Sequence, residues 1–378
     1  MDQRVQLIGD WLRDEHTVRE LGEHYQVSRK TIYKWIQRYK DGGVEALTEA
    51  SCAPHHHPNA TSPHIVSQII EAKLKHKEWG PKKIVSSLER HFPDIPWPAV
   101  STAQSLLRKE GLVKPRHRRR HTPPFAQAFH ECLRPNDSWS MDYKGQFRTS
   151  DGKLCYPLTI SDNFSRYLLT CRGLFHPDYE HTRLWLERTF REYGLPMSIK
   201  SDNGVPFASV GVGGLSRLAV WLIRLRVIPE RITPSHPEQN GRHERMHRTL
   251  KEGVCKPPRS DMKAQQKAFD EFIPVYNNER PHEAIGMQSP GAIYQPSRRL
   301  FPNKLQPVEY DSWITARRVR SDGCIKWKGS FIYVSQALAG ELVGLNQVDE
   351  TRWELNFSFC PLGIVDEKGG KVLPMSPV

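Results

Sequence analysis

Three acids constrain this chain more than any other feature: Asp142, Asp202 and Glu244 each stand in a local sequence that would deliver a carboxylate to the edge of one cleft. Asp142 lies in Trp139-Ser140-Met141-Asp142-Tyr143, a short alternating run that predicts a strand. Asp202 follows Ile199-Lys200-Ser201, where a strand runs out into the turn Asp202-Asn203-Gly204. Glu244 stands in Asn240-Gly241-Arg242-His243-Glu244-Arg245, where a loop becomes a helix. Three convergent carboxylates repel one another by roughly 4 kcal/mol per pair at ~4 Å and an effective dielectric of ~20, so such a cluster persists where divalent cations neutralise it. Hard oxygen donors, read with no Cys or paired His beside them, select Mg2+ or Mn2+ over zinc.

At 378 residues and 38% hydrophobic composition the chain is long enough for two or three domains, each with a core. No apolar run approaches the ~20 residues a membrane helix needs, so no membrane partner is expected, and Met1-Asp2-Gln3-Arg4 does not begin a signal peptide. Lys and Arg number 55 against 42 Asp and Glu, a net +13, which favours a polyanionic partner and above all nucleic acid. The alternative is a merely basic soluble protein. Seven cysteines without a CxxC pair argue against a disulfide framework and fit a reducing cytoplasm. His55-His56-His57 near Cys52 reads as a solvated linker rather than a zinc site.

The amino-terminal third predicts two helical units. Val5, Ile8, Trp11 and Leu12 share a helical face, and Thr17-Val18-Arg19-Glu20 offers a capping box for a second helix. Ser28 N-caps a third helix that buries Ile32, Trp35 and Ile36 and exposes Arg29, Lys30, Tyr33, Lys34 and Arg38. That is the layout of a helix-turn-helix whose last helix, from Ser28 onward, has the outer face needed to enter a major groove; a plain three-helix bundle is the alternative. After a linker, helices are expected from Pro63 (Ile65 and Ile69 inward), from Pro81 (Ile84, Val85, Leu88) and from Pro98 (Val100, Ala103, Leu107), ending at Gly111. Lys114 to His121, with Arg118, Arg119 and Arg120, has no apolar period and reads as an arm that tracks phosphates or lies in a minor groove, or else as a solvated linker. Residues 1–123 carry 21 Lys and Arg against 14 Asp and Glu, more than half of the net charge.

From Ser138 the period changes to two. Leu154, Tyr156, Leu158 and Ile160 alternate, and Tyr167 to Phe175 forms a further run beyond a turn at Asn163-Phe164-Ser165-Arg166, so an antiparallel meander is expected. Helices at 181–193 and 215–225 and strands at 197–200 and 227–232 follow. Asp162 is expected to cap its turn or pair with Arg166 rather than bind metal. Asn203 and Asn240 would position loops beside the acids.

Trp139-Ser140-Met141-Asp142, Leu158 to Arg166, Tyr193-Gly194-Leu195-Pro196, Ser201 to Phe207, His236 to Glu244 and Tyr276 to His282, six strings in this order, resemble the integrase-type DDE core of bacterial insertion-sequence transposases, related to retroviral integrases. The resemblance covers residues 130–296. It implies an RNase H-like α/β fold with a mixed five-stranded sheet, Asp142, Asp202 and Glu244 as catalytic residues binding two metal ions (Mg2+ or Mn2+), and double-stranded DNA, element ends and target, as partner. The 41 residues between Asp202 and Glu244 exceed the family's usual interval, and a loop through Ser209 to Gly214 would absorb them at little cost. Arg248 and Lys251, at i+4 and i+7 from Glu244, should share its face and hold phosphates; the alternative is ion pairing with Glu244 or Glu252.

Beyond a Pro-containing connector the chain alternates again, with Ile325 and Trp327, Phe331 and Tyr333, and Trp353, Leu355, Phe357 and Phe359 inward, and turns at Asp322-Gly323, Lys328-Gly329 and Lys368-Gly369-Gly370. A small antiparallel barrel is expected, in the position of the SH3-like domain of relatives. The expected multidomain layout is therefore 1–49 and 62–113 as all-α helix-turn-helix units, 50–61 and 114–129 as linkers, 130–296 as the RNase H-like core, 297–307 as a connector and 308–378 as the barrel. The expected function is a DNA transposase of the bacterial cytoplasm and nucleoid that cuts and joins its element's terminal inverted repeats, working as a homo-oligomer on DNA. A non-catalytic DNA-binding regulator and a nuclease without strand transfer are the alternatives.

Overall fold

The computed structural model describes residues 3–49, 60–113, 132–202, 204, 206–207, 215–232 and 241–373. The expectations for Cys52 and His55 to His57, for the basic arm with Arg118, Arg119 and Arg120, for Asn203 and Asn240 and for the 209–214 loop fall outside them. The chain forms two compact units, Met1–Ser62 and Pro63–Val378.

In the first unit, α1 (Gln3–Leu12), α2 (Val18–His24) and α3 (Arg29–Gly42) close around Leu7, Ile8, Leu21, Ile32 and Ile36, with Leu47 of a following 3-10 turn as the lid. Both caps read from the sequence are made. The Thr17 hydroxyl accepts from Glu20 N while the Glu20 carboxylate accepts from Thr17 N, and the Ser28 hydroxyl accepts from Thr31 N. Leu12 departs from expectation: it ends α1 and is 55% exposed, and Leu7 takes the inward place. Trp35 is half-buried rather than buried.

The second unit opens with α4 (Pro63–Lys75), α5 (Pro81–His91) and α6 (Val100–Lys109), packed around Ile69, Trp79, Ile84, Val85, Ala103 and Leu107. Val100 is exposed, because it is the first helical residue and has neighbours on one side only. This bundle rests on the 275–288 segment. Val275 joins its core, His76 and Glu279 lie 3.8 Å apart, and Arg90 donates to the Met287 carbonyl at 2.7 Å.

A mixed sheet follows, made of β1 (Ser138–Tyr143), β2 (Phe147–Arg148), β3 (Leu154–Asp162), β4 (Leu168–Leu174), β5 (Ser198–Ser201) and β6 (Ile228–Arg231). β3 runs antiparallel to β1, β2 and β4, whereas β1, β5 and β6 run parallel to one another. Strand alternation sends Trp139, Met141, Leu158 and Ile160 to one face, against α7 (Tyr179–Tyr193) and α8 (Arg217–Arg224). The other face lies under α9 (Gly241–Leu250) and α10 (Met262–Pro274), with Cys155, Leu168 and Cys171 against Met246, Leu250 and Phe269.

Between its terminal arginines, helix α8 is apolar from Leu218 to Ile223. Leu218, Trp221 and Leu222 belong to the sheet's core, while Ala219, Val220 and Ile223 enter the core of a small carboxy-terminal β domain. Arg224 adds a two-pronged bond to Glu341 at 2.8 and 2.9 Å.

That β domain has a five-stranded antiparallel sheet in the order β13 (Lys371–Leu373), β12 (Cys360–Asp366), β11 (Arg352–Phe357), β10 (Leu342–Gln347), β7 (Thr315–Arg318), and a hairpin of β8 (Cys324–Trp327) and β9 (Ser330–Tyr333). The expected inward facing of Phe331 and Tyr333 is reversed. The two-residue turn Lys328-Gly329 sets Ile332 opposite Ile325 on the core face, so Phe331 falls opposite Lys326 and points outward, 55% exposed. Phe359 is also exposed, since β11 ends at Phe357 and the chain turns at Ser358, whose φ is +51°.

Candidate active site

Asp142 occupies the last turn-ward stretch of β1, a strand flanked by β3 and β5, and its cross-strand partner is Thr159. Because Met141 faces α7 and α8, Asp142 faces α9. Asp202 directly follows β5, half-buried, and its carboxylate accepts from Gly204 N at 3.0 Å. Glu244 lies in the first turn of α9 and is exposed, a position where the helix dipole favours a negative charge.

Asp202 and Glu244 each lie within electrostatic reach of Asp142. Burial pushes the Asp142 carboxyl up to about 7, with Asp202 and then Glu244 adding to the rise and the Tyr143 backbone N–H and Lys144 opposing it. A carboxyl held this reluctantly as an anion, with carboxylates for neighbours, is the donor chemistry that accepts a hard divalent cation. The oxygen donors of Asp142, Asp202 and Glu244 are of the kind that Mg2+ or Mn2+ takes.

Histidine corrects the sequence reading, which saw no paired His beside the acids. His243 and His247, one turn apart on α9, are buried against Asp142, and the ligating atoms of the three residues lie within 4.8 Å of one another. His243 Nδ1 meets the Ser161 hydroxyl at 2.9 Å and its Nε2 meets that of Thr159 at 2.8 Å. His247 Nε2 lies 2.6 Å from the same Thr159 oxygen, and its Nδ1 lies 3.8 Å from Asp142 Oδ2. The signal was the i, i+4 spacing of the two histidines on the helix of Glu244, which places both on one face.

Other candidates take quieter places. Asp162 accepts from Asn136 N at 2.8 Å and from Ser165 N and Oγ at 2.7 and 2.6 Å, so it caps the turn as expected, while the Arg166 guanidinium goes to the Asn163 carbonyl. Arg248 donates to Glu252 at 3.1 Å, and Lys251 is exposed in the π-helical turn after α9. On α3, Arg29, Lys30, Tyr33 and Lys34 are exposed and Arg38 is half-buried; Ser28, exposed too, has its hydroxyl engaged in the cap.

Two integrase core domain families match, over residues 133–237 and 225–290. A helix-turn-helix domain family matches residues 3–50, and a homeodomain-like family matches 31–107. The chain therefore joins DNA-binding helical domains to an integrase core. An insertion element IS476 protein of 39.2 kDa from Xanthomonas euvesicatoria is 22% identical over 298 residues, covering 78% of this chain and 80% of that protein. In its domain matches and in this relative, the chain is similar to bacterial insertion-sequence proteins that carry an integrase-type core. Solved structures that resemble it include the HTLV-2 integrase catalytic core domain in complex with magnesium, at 15% identity, 43% of this chain, 99% of that one and a TM-score of 0.35. Another is an intasome of simian T-cell lymphotropic virus, at 17% identity, 77% and 97% coverage and a TM-score of 0.38. Among the described residues no helix is long and apolar enough to cross a membrane.

Proposed function

We propose that this chain is a transposase that binds the terminal inverted repeats of its own element, cuts the 3′ ends and transfers them into target DNA in the bacterial cytoplasm, at the nucleoid. The observation that carries this reading is placement: Asp142 is on β1, Asp202 directly follows the adjacent parallel strand β5, and Glu244 stands beside His243 on α9, the helix whose histidines pack against Asp142. Asp142, Asp202 and Glu244 are the residues that would hold two Mg2+ or Mn2+ ions in an RNase H-like core. Bound there, the ions would activate the attacking oxygen and stabilise the leaving 3′ oxygen in an in-line displacement at phosphorus. The chain's own residues supply charge and position, and none becomes covalently attached. Water as nucleophile gives cleavage, and the freed 3′-OH gives strand transfer.

The outer face of α3, with Ser28, Arg29, Lys30, Tyr33, Lys34 and Arg38, would read the repeat, and Arg118, Arg119 and Arg120 would follow its phosphates. Arg248 would leave Glu252 for a phosphate at small expense, because an exposed i, i+4 pair is worth about 0.3–0.5 kcal/mol; Lys251 would act beside it. The domain boundaries expected from sequence, the SH3-like character of the β domain and a homo-oligomer that pairs two ends belong to the same proposal.

Purified full-length protein incubated with duplexes bearing the element's ends and MgCl2 is expected to nick at the 3′ end and then yield joined DNA. Asp142→Asn and Glu244→Gln are each expected to reduce both products to background. Unchanged nicking and joining in either variant would overturn the assignment, and cut DNA that is never joined would make the enzyme a nuclease.

A further inference from the structure

The two histidines of α9 have no part in the reading above, yet their protonation follows from counting protons. The Thr159 hydroxyl lies 3.1 Å from the Asp142 carbonyl oxygen, 2.8 Å from His243 Nε2 and 2.6 Å from His247 Nε2. A carbonyl only accepts, so the single hydroxyl proton goes there and both imidazoles donate Nε2–H to the two lone pairs of Thr159. Both rings are buried and neither Nδ1 meets a group that requires it to donate: Ser161 can give its own hydroxyl proton to His243, and Asp142 Oδ2 stands 3.8 Å from His247 Nδ1, beyond hydrogen-bond distance. Each Nδ1 is then an unprotonated acceptor.

For His243 that acceptor is met by the Ser161 hydroxyl. For His247 it faces Asp142 Oδ2 at 3.8 Å, a lone pair turned toward a carboxylate oxygen. Two donors each about 2.1 Å from one cation stand between about 3.0 and about 4.2 Å apart, according to the angle between them, so this separation suits two ligands of a single ion.

We infer that His247 is, through Nδ1, a ligand of the ion that Asp142 holds, so that one position of this centre has mixed nitrogen and oxygen donors and prefers Mn2+ to Mg2+. The inference rests on the proposed role of Asp142. Imidazole suits transition metals, whereas magnesium takes oxygen and keeps its waters. His243, with both nitrogens engaged, is a positioning residue: it holds Thr159, and Thr159 holds the ring of His247.

The test uses the full-length protein with Mn2+ or Mg2+ alone, without DNA, read by calorimetry and by pulsed electron paramagnetic resonance. Nitrogen hyperfine coupling to bound Mn2+ is expected in the unmodified chain. His247→Gln keeps a donor toward Thr159 but removes Nδ1; it is expected to abolish the coupling and weaken Mn2+ about tenfold, while Mg2+ changes by less than about twofold. Bound Mn2+ without nitrogen coupling in the unmodified protein overturns the inference whether or not the variant folds. Asp142→Asn separates the two readings. If it abolishes binding of both ions while the nitrogen coupling is missing in the unmodified chain, only His247 is excluded. If both ions still bind to Asp142→Asn, the acids themselves were misassigned and the inference falls with them.

Discussion

Asn277 is a case of one buried side chain fixing where a helical segment sits. Its amide accepts from Leu168 N at 2.8 Å and donates to Leu168 O at 2.9 Å, satisfying both backbone groups where β4 begins beside a bulge in its pairing with β3. Asn277→Ala leaves that pair unmet in a dry site and is expected to lower the unfolding free energy by about 2–4 kcal/mol, measured by denaturant titration. His282 makes a pH prediction. Burial pushes its imidazole down to about 3, with Lys83 and Arg280 helping, and its ring stacks edge-on against Tyr276 at 4.9 Å. Between pH 6.5 and 3 the unfolded chain binds a proton there that the folded chain does not, so stability falls as pH falls through that window. His282→Phe is expected to remove up to about 1.4 kcal/mol per pH unit of that slope, seen by comparing melts of the two proteins from pH 7 to pH 4. At this scale the elements that carry the acids were legible, a strand, a strand end and a first helical turn, because each lies in a contiguous string. The histidines were not, because what gives them meaning lies 82 and 84 residues away, at Ser161 and Thr159.

Among the elements, those bounded by local chemistry were legible: the Thr17 and Ser28 caps and the prolines at 63 and 81 begin α2, α3, α4 and α5 where expected. Facing was harder to read. The outward turn of Phe331 is decided by hairpin register, and β10, Leu-Val-Gly-Leu-Asn-Gln, lacks the alternation that would predict it. Helix α8 combines both lessons, since an all-apolar run predicts burial without saying that two different cores share it. Ile223 is fully buried on the side of the β domain. Ile223→Ala is expected to cost about 2–5 kcal/mol in a denaturant melt and to make the 308–378 region more sensitive to protease than the central sheet.

For the whole molecule, the net charge of +13 and the change of period at Ser138 were enough to separate helical DNA-binding units from an α/β core. What they could not reveal is how far the core reaches past the end of its family match at residue 290. Tyr294 stacks on Tyr167 at 4.3 Å, Leu195 N donates to Arg299 O at 2.7 Å, and Phe301 lies against Phe190 and Trp221. The connector crosses Gly194 so closely that a Cβ there would stand 2.5 Å from the Ser297 carbonyl oxygen. A fragment excised at residue 290 would thus be a core stripped of its own strap, and with α8 bared on its second side as well. Such a fragment is expected to aggregate on expression, while one running to residue 373 stays dispersed, as size-exclusion chromatography of the two would show. The minimal autonomous piece of this protein is longer than its integrase-core match, and the proposed catalytic centre comes with the β domain attached.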